Sequence, residues 1–147
     1  MRTSTKLPGK GATYLIKAGI RDVRARQFAF DRQKTMYGGR RIAAGDILYI
    51  FASENEGGPG LIARGVVTSA RPTPKKPGVA RQTPRVSIVV ERTARAKRRF
   101  GRAELEPFSE WKDDRPETEL NFKFYRQATN KIGGISVEAA RFLSAFF

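Results

Sequence analysis

The stretch Gly45–Ala70, GDILYIFASENEGGPGLIARGVVTSA, constrains the fold of this chain more than any other. Asp46–Ala52 is almost unbroken in apolar side chains, which predicts a strand covered on both faces. Ser53, Glu54, Asn55 and Glu56 then lead into Gly57, Gly58, Pro59 and Gly60, residue types that accept left-handed or proline-fixed dihedrals and so make a loop. A return strand, Leu61–Ser69, follows. Gly65 inside it predicts a bulge, a bend or a close backbone approach, and with it a small curled sheet.

Tyr14–Ala18, YLIKA, has the apolar density of an opening strand, with Lys17 as its odd member. Residues 1–12 are polar and Gly-rich and predict a disordered basic arm, leaving 13–147 as a single domain. Between Gly19 and Arg41 two periods compete: Ile20 and Val23 suggest a helical turn, whereas Phe28 and Phe30 alternate as in a strand. The expectation is a short helix and then irregular chain. Four prolines between Arg71 and Pro84 predict an extended basic connection, and Val86, Ile88 and Val90 one face of a further strand.

Ala103–Phe108 is expected to be a short strand, Trp111–Glu119 a polar loop over one end of the sheet, and Leu120–Ile132 a last strand running into a turn. Ser136 is a candidate N-cap for a closing helix, with Glu138 in its first turn. Ala139, Phe142, Leu143 and Phe146 recur at helical spacing, forming an apolar stripe to cover the sheet.

The chain contains neither cysteine nor histidine. Disulfides, thiolate zinc sites and Ser-His-Asp or Cys-His catalysis are thereby excluded, and a metal would find only oxygen ligands. No cofactor, catalytic set or metal site is expected. No apolar run is long enough to span a bilayer and the first residues lack the apolar core of a leader, so a soluble cytoplasmic protein is expected.

Lys and Arg number 29 against 14 Asp and Glu, a formal net charge of +15. That surplus attracts polyanions and makes nucleic acid the expected partner. Candidate phosphate ligands are Lys75, Lys76, Arg81 and Arg85 in the Pro-rich connection, and Arg92, Arg95, Lys97, Arg98, Arg99 and Arg102 in the run RTARAKRRFGR. In that run Phe100 offers a ring for a base to stack on. Equally, the run reads as a solvated edge whose charges deter strand pairing.

YLIKAG at 14–19, GDILYIFASEN at 45–55 and GLIARGVV at 60–67, followed by a strand and a closing helix, resemble the PUA-like superfamily. The resemblance is nearest to its EVE branch and then to its ASCH branch. It implies an α+β fold, a small mixed β-barrel with short helices packed at its ends and a C-terminal helix. It also implies a role in binding nucleic acid with a modified or flipped base held beside the barrel. Matched residue by residue, Lys17, Ala18 and Gly19 leave the first strand, Ser53 and Asn55 leave the aromatic strand, and Tyr37 stands in a loop where the family carries an aromatic. The family's Arg-Asn run is missing there, and Tyr14 stands near the place of its tryptophan. The residues themselves add Phe124, Arg126, Gln127 and Asn130, where FYRQATN gathers an aromatic, a guanidinium and amides that read base edges or satisfy loop backbone.

Three functions are open at this point: a base reader, a metal-independent ribonuclease of the ASCH kind, and a general RNA-binding module. Without histidine, the ribonuclease would depend on Lys17, Tyr37 or Glu54 for proton transfer.

Overall fold

The computed structural model describes residues 12–110, 112–126 and 129–147. All but Ala12 of the expected arm, Trp111 and Gln127 lie outside them. Six strands close into a barrel: β1 (Thr13–Ala18), β2 (Gln27–Met36), β3 (Ile47–Ala52), β4 (Gly60–Pro72), β5 (Arg85–Arg95) and β6 (Lys131–Ile135), in the spatial order β1-β3-β4-β5-β2-β6. β1 runs parallel to β3 and antiparallel to β6, and β2 runs parallel to β6. The expected barrel is therefore present. Among the described residues no helix is long and apolar enough to cross a membrane.

Alternation along the strands makes two apolar layers. Tyr14, Ile16, Ala18, Leu48, Ile50, Val86, Ile88 and Val90 fill the barrel. The opposite faces of β1 and β3 turn Leu15, Tyr49 and Phe51 outward, where three short helices cover them: α1 (Arg102–Leu105), α2 (Pro116–Leu120) and α3 (Val137–Ser144). This double burial is why Asp46–Ala52 carries almost no polar side chain. Its own Asp46 is buried at the turn, accepting the Ala43 amide.

β3 and β4 form the expected hairpin, and the β4–β5 register shifts beside Gly65. A Cβ there would stand 2.6 Å from the Glu91 carbonyl oxygen, so the missing side chain lets β5 approach. The closing helix is also as expected: Ser136 Oγ accepts the Ala139 amide at 3.0 Å, and Ala139, Leu143 and Phe146 are buried on β1 and β3.

Four expectations need correction. No helix follows Gly19; after a turn closed by Ala25 N–H to the Asp22 carbonyl, the chain enters the long strand β2. Phe28 and Phe30 do point into the barrel, but the register slips by one residue between Phe30 and Gln33, and Arg32 takes a left-handed φ of 49°. That bulge breaks the period-two pattern and hid the strand.

Ala103–Phe108 is not a strand. Its start belongs to α1, where the Glu104 carboxylate accepts the Gly101 amide at 2.7 Å and Leu105 drops into the core. The polar stretch before Leu120 likewise contains α2, with Pro116 in its first turn.

Leu120–Ile132 is not one strand either. A π turn occupies Asn121–Tyr125, and β6 begins only at Lys131. Leu120 and Phe124 are buried while Phe122 is 42% exposed, the i, i+4 signature of a helical face, which FKF had masked as alternation.

Candidate functional site

The parallel pairing of β1 and β3 brings their C-terminal ends together at Ala18 and Ala52. Ser53 N–H donates to the Ala18 carbonyl at 2.8 Å, which draws the turn after β3 against the exit of β1. Lys17 thus lies on the strand end that meets Ser53 and Glu54. Ala18 itself points into the barrel and presents only backbone.

Lys17 faces outward under the helical layer and is 1% exposed. Directly opposite it on β6 stands Lys131, also buried, whose ammonium lies 3.4 Å from the Thr129 carbonyl oxygen. Each amine sits over an aromatic ring, Lys17 4.6 Å from the centroid of Tyr125 and Lys131 5.6 Å from that of Phe124. Burial, reinforced by Lys17, pushes the Lys131 amine down to about 8. Burial lowers Lys17 as well, partly offset by the Glu54 carboxylate.

Glu54 is held in place by two hydrogen bonds. Its carboxylate accepts the Tyr125 hydroxyl at 2.9 Å and the Arg102 amide at 2.7 Å, and its charge offsets Lys17. Burial and this carboxylate push the Tyr125 phenol far above its ordinary range, so Tyr125 remains a donor. Ser53 is 1% exposed, and its hydroxyl has no partner among the described residues. A buried hydroxyl without a bond is uncommon.

The other base-pocket candidates divide. Asn130 donates to the Glu56 carboxylate at 2.6 Å, and the same carboxylate crowds Gly19, so both stand at the rim. Asn55 accepts a bond from the Arg102 guanidinium. Tyr37, at φ 52°, packs with Phe124 over Gly133, where a Cβ would lie 3.0 Å from the Phe124 ring. Phe124 is core, and Arg126 is exposed, 5.9 Å from the Phe122 ring.

The basic run is partly engaged. Arg92 donates to the Arg24 and Ala25 carbonyls, Arg98 to the Ala145 carbonyl, and Arg102 to Asn55. Arg95, Lys97 and Arg99 are exposed. Phe100 is 4% exposed and packs on Phe51, Phe142 and Phe146, so no base can stack there. Lys75, Lys76, Arg81 and Arg85 are exposed. The loop carrying them is pinned by Gln82, which bonds Lys76 twice and the Val79 carbonyl.

The larger hollows lie elsewhere. One of about 560 Å³ is lined by Asp114, Arg115, Glu119 and Glu138 among others, one of about 410 Å³ reaches Asn130, and one of about 610 Å³ lies along the Pro-rich loop. Lys17, Ser53 and Tyr37 line none of the three.

Sequence reasoning missed Lys131 and Tyr125 as members of the site. Lys17 in an apolar strand was the signal, since a buried amine needs neighbours that compensate it. Where those neighbours came from depended on strand order.

No model of a known protein family matches the chain, and no curated protein matches it. Several solved structures share its fold. Human THYN1, solved in complex with DNA containing 5-methylcytosine, superposes with a TM-score of 0.64 at 17% identity, over 92% of this chain and 97% of that one. The DUF55 domain of human thymocyte nuclear protein 1 gives 0.63 at 18% identity, over 91% and 98%. A hypothetical protein from Leishmania major gives 0.60 at 16%, over 95% and 96%. The chain shares the fold of these structures, and in this chain it is a closed six-stranded mixed barrel with a C-terminal helix.

Proposed function

We propose that this protein binds nucleic acid and that the buried polar site at the ends of β1 and β3 takes a modified or flipped base. The observation that carries the reading is the buried Ser53 hydroxyl beside the strand end of Lys17, which has no hydrogen-bond partner among the described residues. A flipped base would offer acceptor oxygens and nitrogens to that hydroxyl and to the ammoniums, with the Tyr125 ring beside Lys17. The net charge of +15 and the fold shared with a protein solved on methylated DNA support the same reading. The exposed cations of the two basic stretches are available to phosphates, and a cytoplasmic location belongs to the proposal as an expectation.

Binding of paired oligonucleotides, one plain and one carrying 5-methylcytosine or another altered base, tests it. Tighter binding to one altered oligonucleotide, with affinity falling steeply as salt rises, is the expected result. Equal affinity across the series removes the base-reading claim.

The lowered amine of Lys17 beside Glu54, with the lowered amine of Lys131 opposite Lys17, favours one second reading, proton transfer in RNA cleavage. Incubation with labelled single-stranded RNA in chelator checks it, and RNA left intact rules it out.

A further inference from the structure

The two hollows that meet at Arg85 run from the rim of the candidate site onto the Pro-rich loop. The first is lined by Arg32, Gln33, Lys34, Arg85, Thr129 and Asn130. The second adds Arg40, Lys75 and Lys76. Among the described residues six cations therefore line this path and no carboxylate lines either hollow, although the Asp31 carboxylate stands 3.8 Å from the Arg32 guanidinium. By contrast, the comparably large hollow at Arg115 is lined by Asp114, Glu119 and Glu138.

The β2 bulge builds this path. Phe28 and Phe30 face the barrel interior, and strict alternation would send residues 32 and 34 inward after them. Three residue steps on β2, from Phe30 to Gln33, face two on β5, from Ile88 to Val86, so the phase reverses. Thr35 takes the inward place, 5% exposed, and Arg32 and Lys34 stand outside.

The cost is a left-handed φ of 49° at a non-glycine residue, and three bonds maintain it. Arg32 N–H donates to Ser87 Oγ at 3.0 Å, Ser87 Oγ donates to Asp31 at 2.9 Å, and the Arg85 guanidinium donates to the Arg32 carbonyl at 2.8 Å. A strained backbone held by dedicated bonds, whose effect is to expose two cations, is an arrangement for contact.

We propose that the sugar-phosphate backbone flanking the bound base runs along this path, from Asn130 past Arg32, Lys34 and Arg85 to Lys75 and Lys76, and not over the Arg92–Arg102 run. The inference rests on the nucleic-acid reading above and names the face it uses. Asn130 connects the two, since it lines the first hollow and bonds Glu56 at the rim of the site. In the Arg92–Arg102 run, three of the six cations, Arg92, Arg98 and Arg102, are engaged by the protein's own oxygens. On the path, among the described residues, only the Arg85 guanidinium bonds a protein oxygen, the Arg32 carbonyl, and Arg32 lies 3.8 Å from the Asp31 carboxylate. Arg95 lies ten positions beyond Arg85, roughly 30 Å along β5 at about 3.3 Å per residue.

The test is fluorescence anisotropy with a labelled DNA duplex, plain and base-modified, over a series of salt concentrations. The variants are R32Q/K34Q, K75Q/K76Q and, for comparison, R95Q/K97Q/R99Q. Each phosphate deprived of its cation flattens the plot of log affinity against log salt by about 0.9. R32Q/K34Q and K75Q/K76Q are each expected to flatten it by about 1 to 2, equally for plain and modified duplex, while the triple variant keeps the wild-type slope.

A flattened triple variant with unchanged R32Q/K34Q and K75Q/K76Q overturns the path and leaves nucleic-acid binding intact. Equal affinity for both duplexes with the predicted slopes removes base reading and leaves the path intact. Wild-type protein that binds neither duplex, nor a single-stranded RNA of the same length, overturns both. Circular dichroism melts confirm that R32Q/K34Q is folded, and K75Q/K76Q carries the test without touching the bulge.

Discussion

Lys17 and Lys131 face each other across the antiparallel β1–β6 ladder, and both side chains are withdrawn from solvent. Burial disfavours the charged amine and two adjacent ammoniums repel, which is why the Lys131 amine falls to about 8. Between that value and the ordinary 10.5 the unfolded chain binds more protons than the folded one, so stability rises with pH. Tyr125 and Tyr14 act oppositely, because their folded phenols keep the proton above the ordinary 10.0. Urea midpoints should therefore climb from about pH 8 to about 10 and then turn over, and Lys131→Met should flatten the climb. A midpoint that falls from pH 8 to 10 contradicts the buried pair.

Ser53→Ala separates fold from function. The substitution removes a buried hydroxyl that has no partner among the described residues, so urea stability should hold or rise by as much as about 1 kcal/mol. If the hydroxyl serves a base, the preference for modified over plain oligonucleotide should drop about fivefold, the worth of one hydrogen bond of about 1 kcal/mol. Loss of stability with unchanged preference would assign Ser53 to the scaffold.

Arg98 and Arg99 are neighbours with different tasks. Arg98 donates to the Ala145 carbonyl at 3.0 Å and covers the Phe146 ring at 4.3 Å, clasping the end of α3, while Arg99 is exposed. Arg98→Gln should cost about 1 kcal/mol in chemical denaturation and leave the salt dependence of binding as it was. Arg99→Gln should leave stability unchanged within about 0.5 kcal/mol.

Gly65→Ala should destabilise by about 1–3 kcal/mol, because its Cβ would meet both the Glu91 carbonyl oxygen and a Val90 methyl at 2.6 Å. Denaturant midpoints read this directly. A neutral result would mean that β5 yields at the bulge.

The barrel's central hairpin, β1, the inward face of β5 and the capped closing helix were legible in the amino-acid order, because burial on fixed faces imposes a period on apolar residues. Lys17 stood out for a related reason, an amine within an apolar strand being chemically exceptional, while Ser53 was marked only by the family resemblance and Glu54 only as a candidate for proton transfer. Periodicity failed at β2, where one extra residue reversed the phase, and at Leu120–Tyr125, where FKF alternates on a helical turn. Composition fixed the sign of the charge and removed cysteine and histidine chemistry. Only the tertiary structure paired Lys131 with Lys17, put Tyr125 on Glu54 and withdrew Phe100 into the core. Those relations join residues far apart in the chain, 71 positions in the case of Tyr125 and Glu54. Closure of the barrel, which no local pattern encodes, is what makes them neighbours.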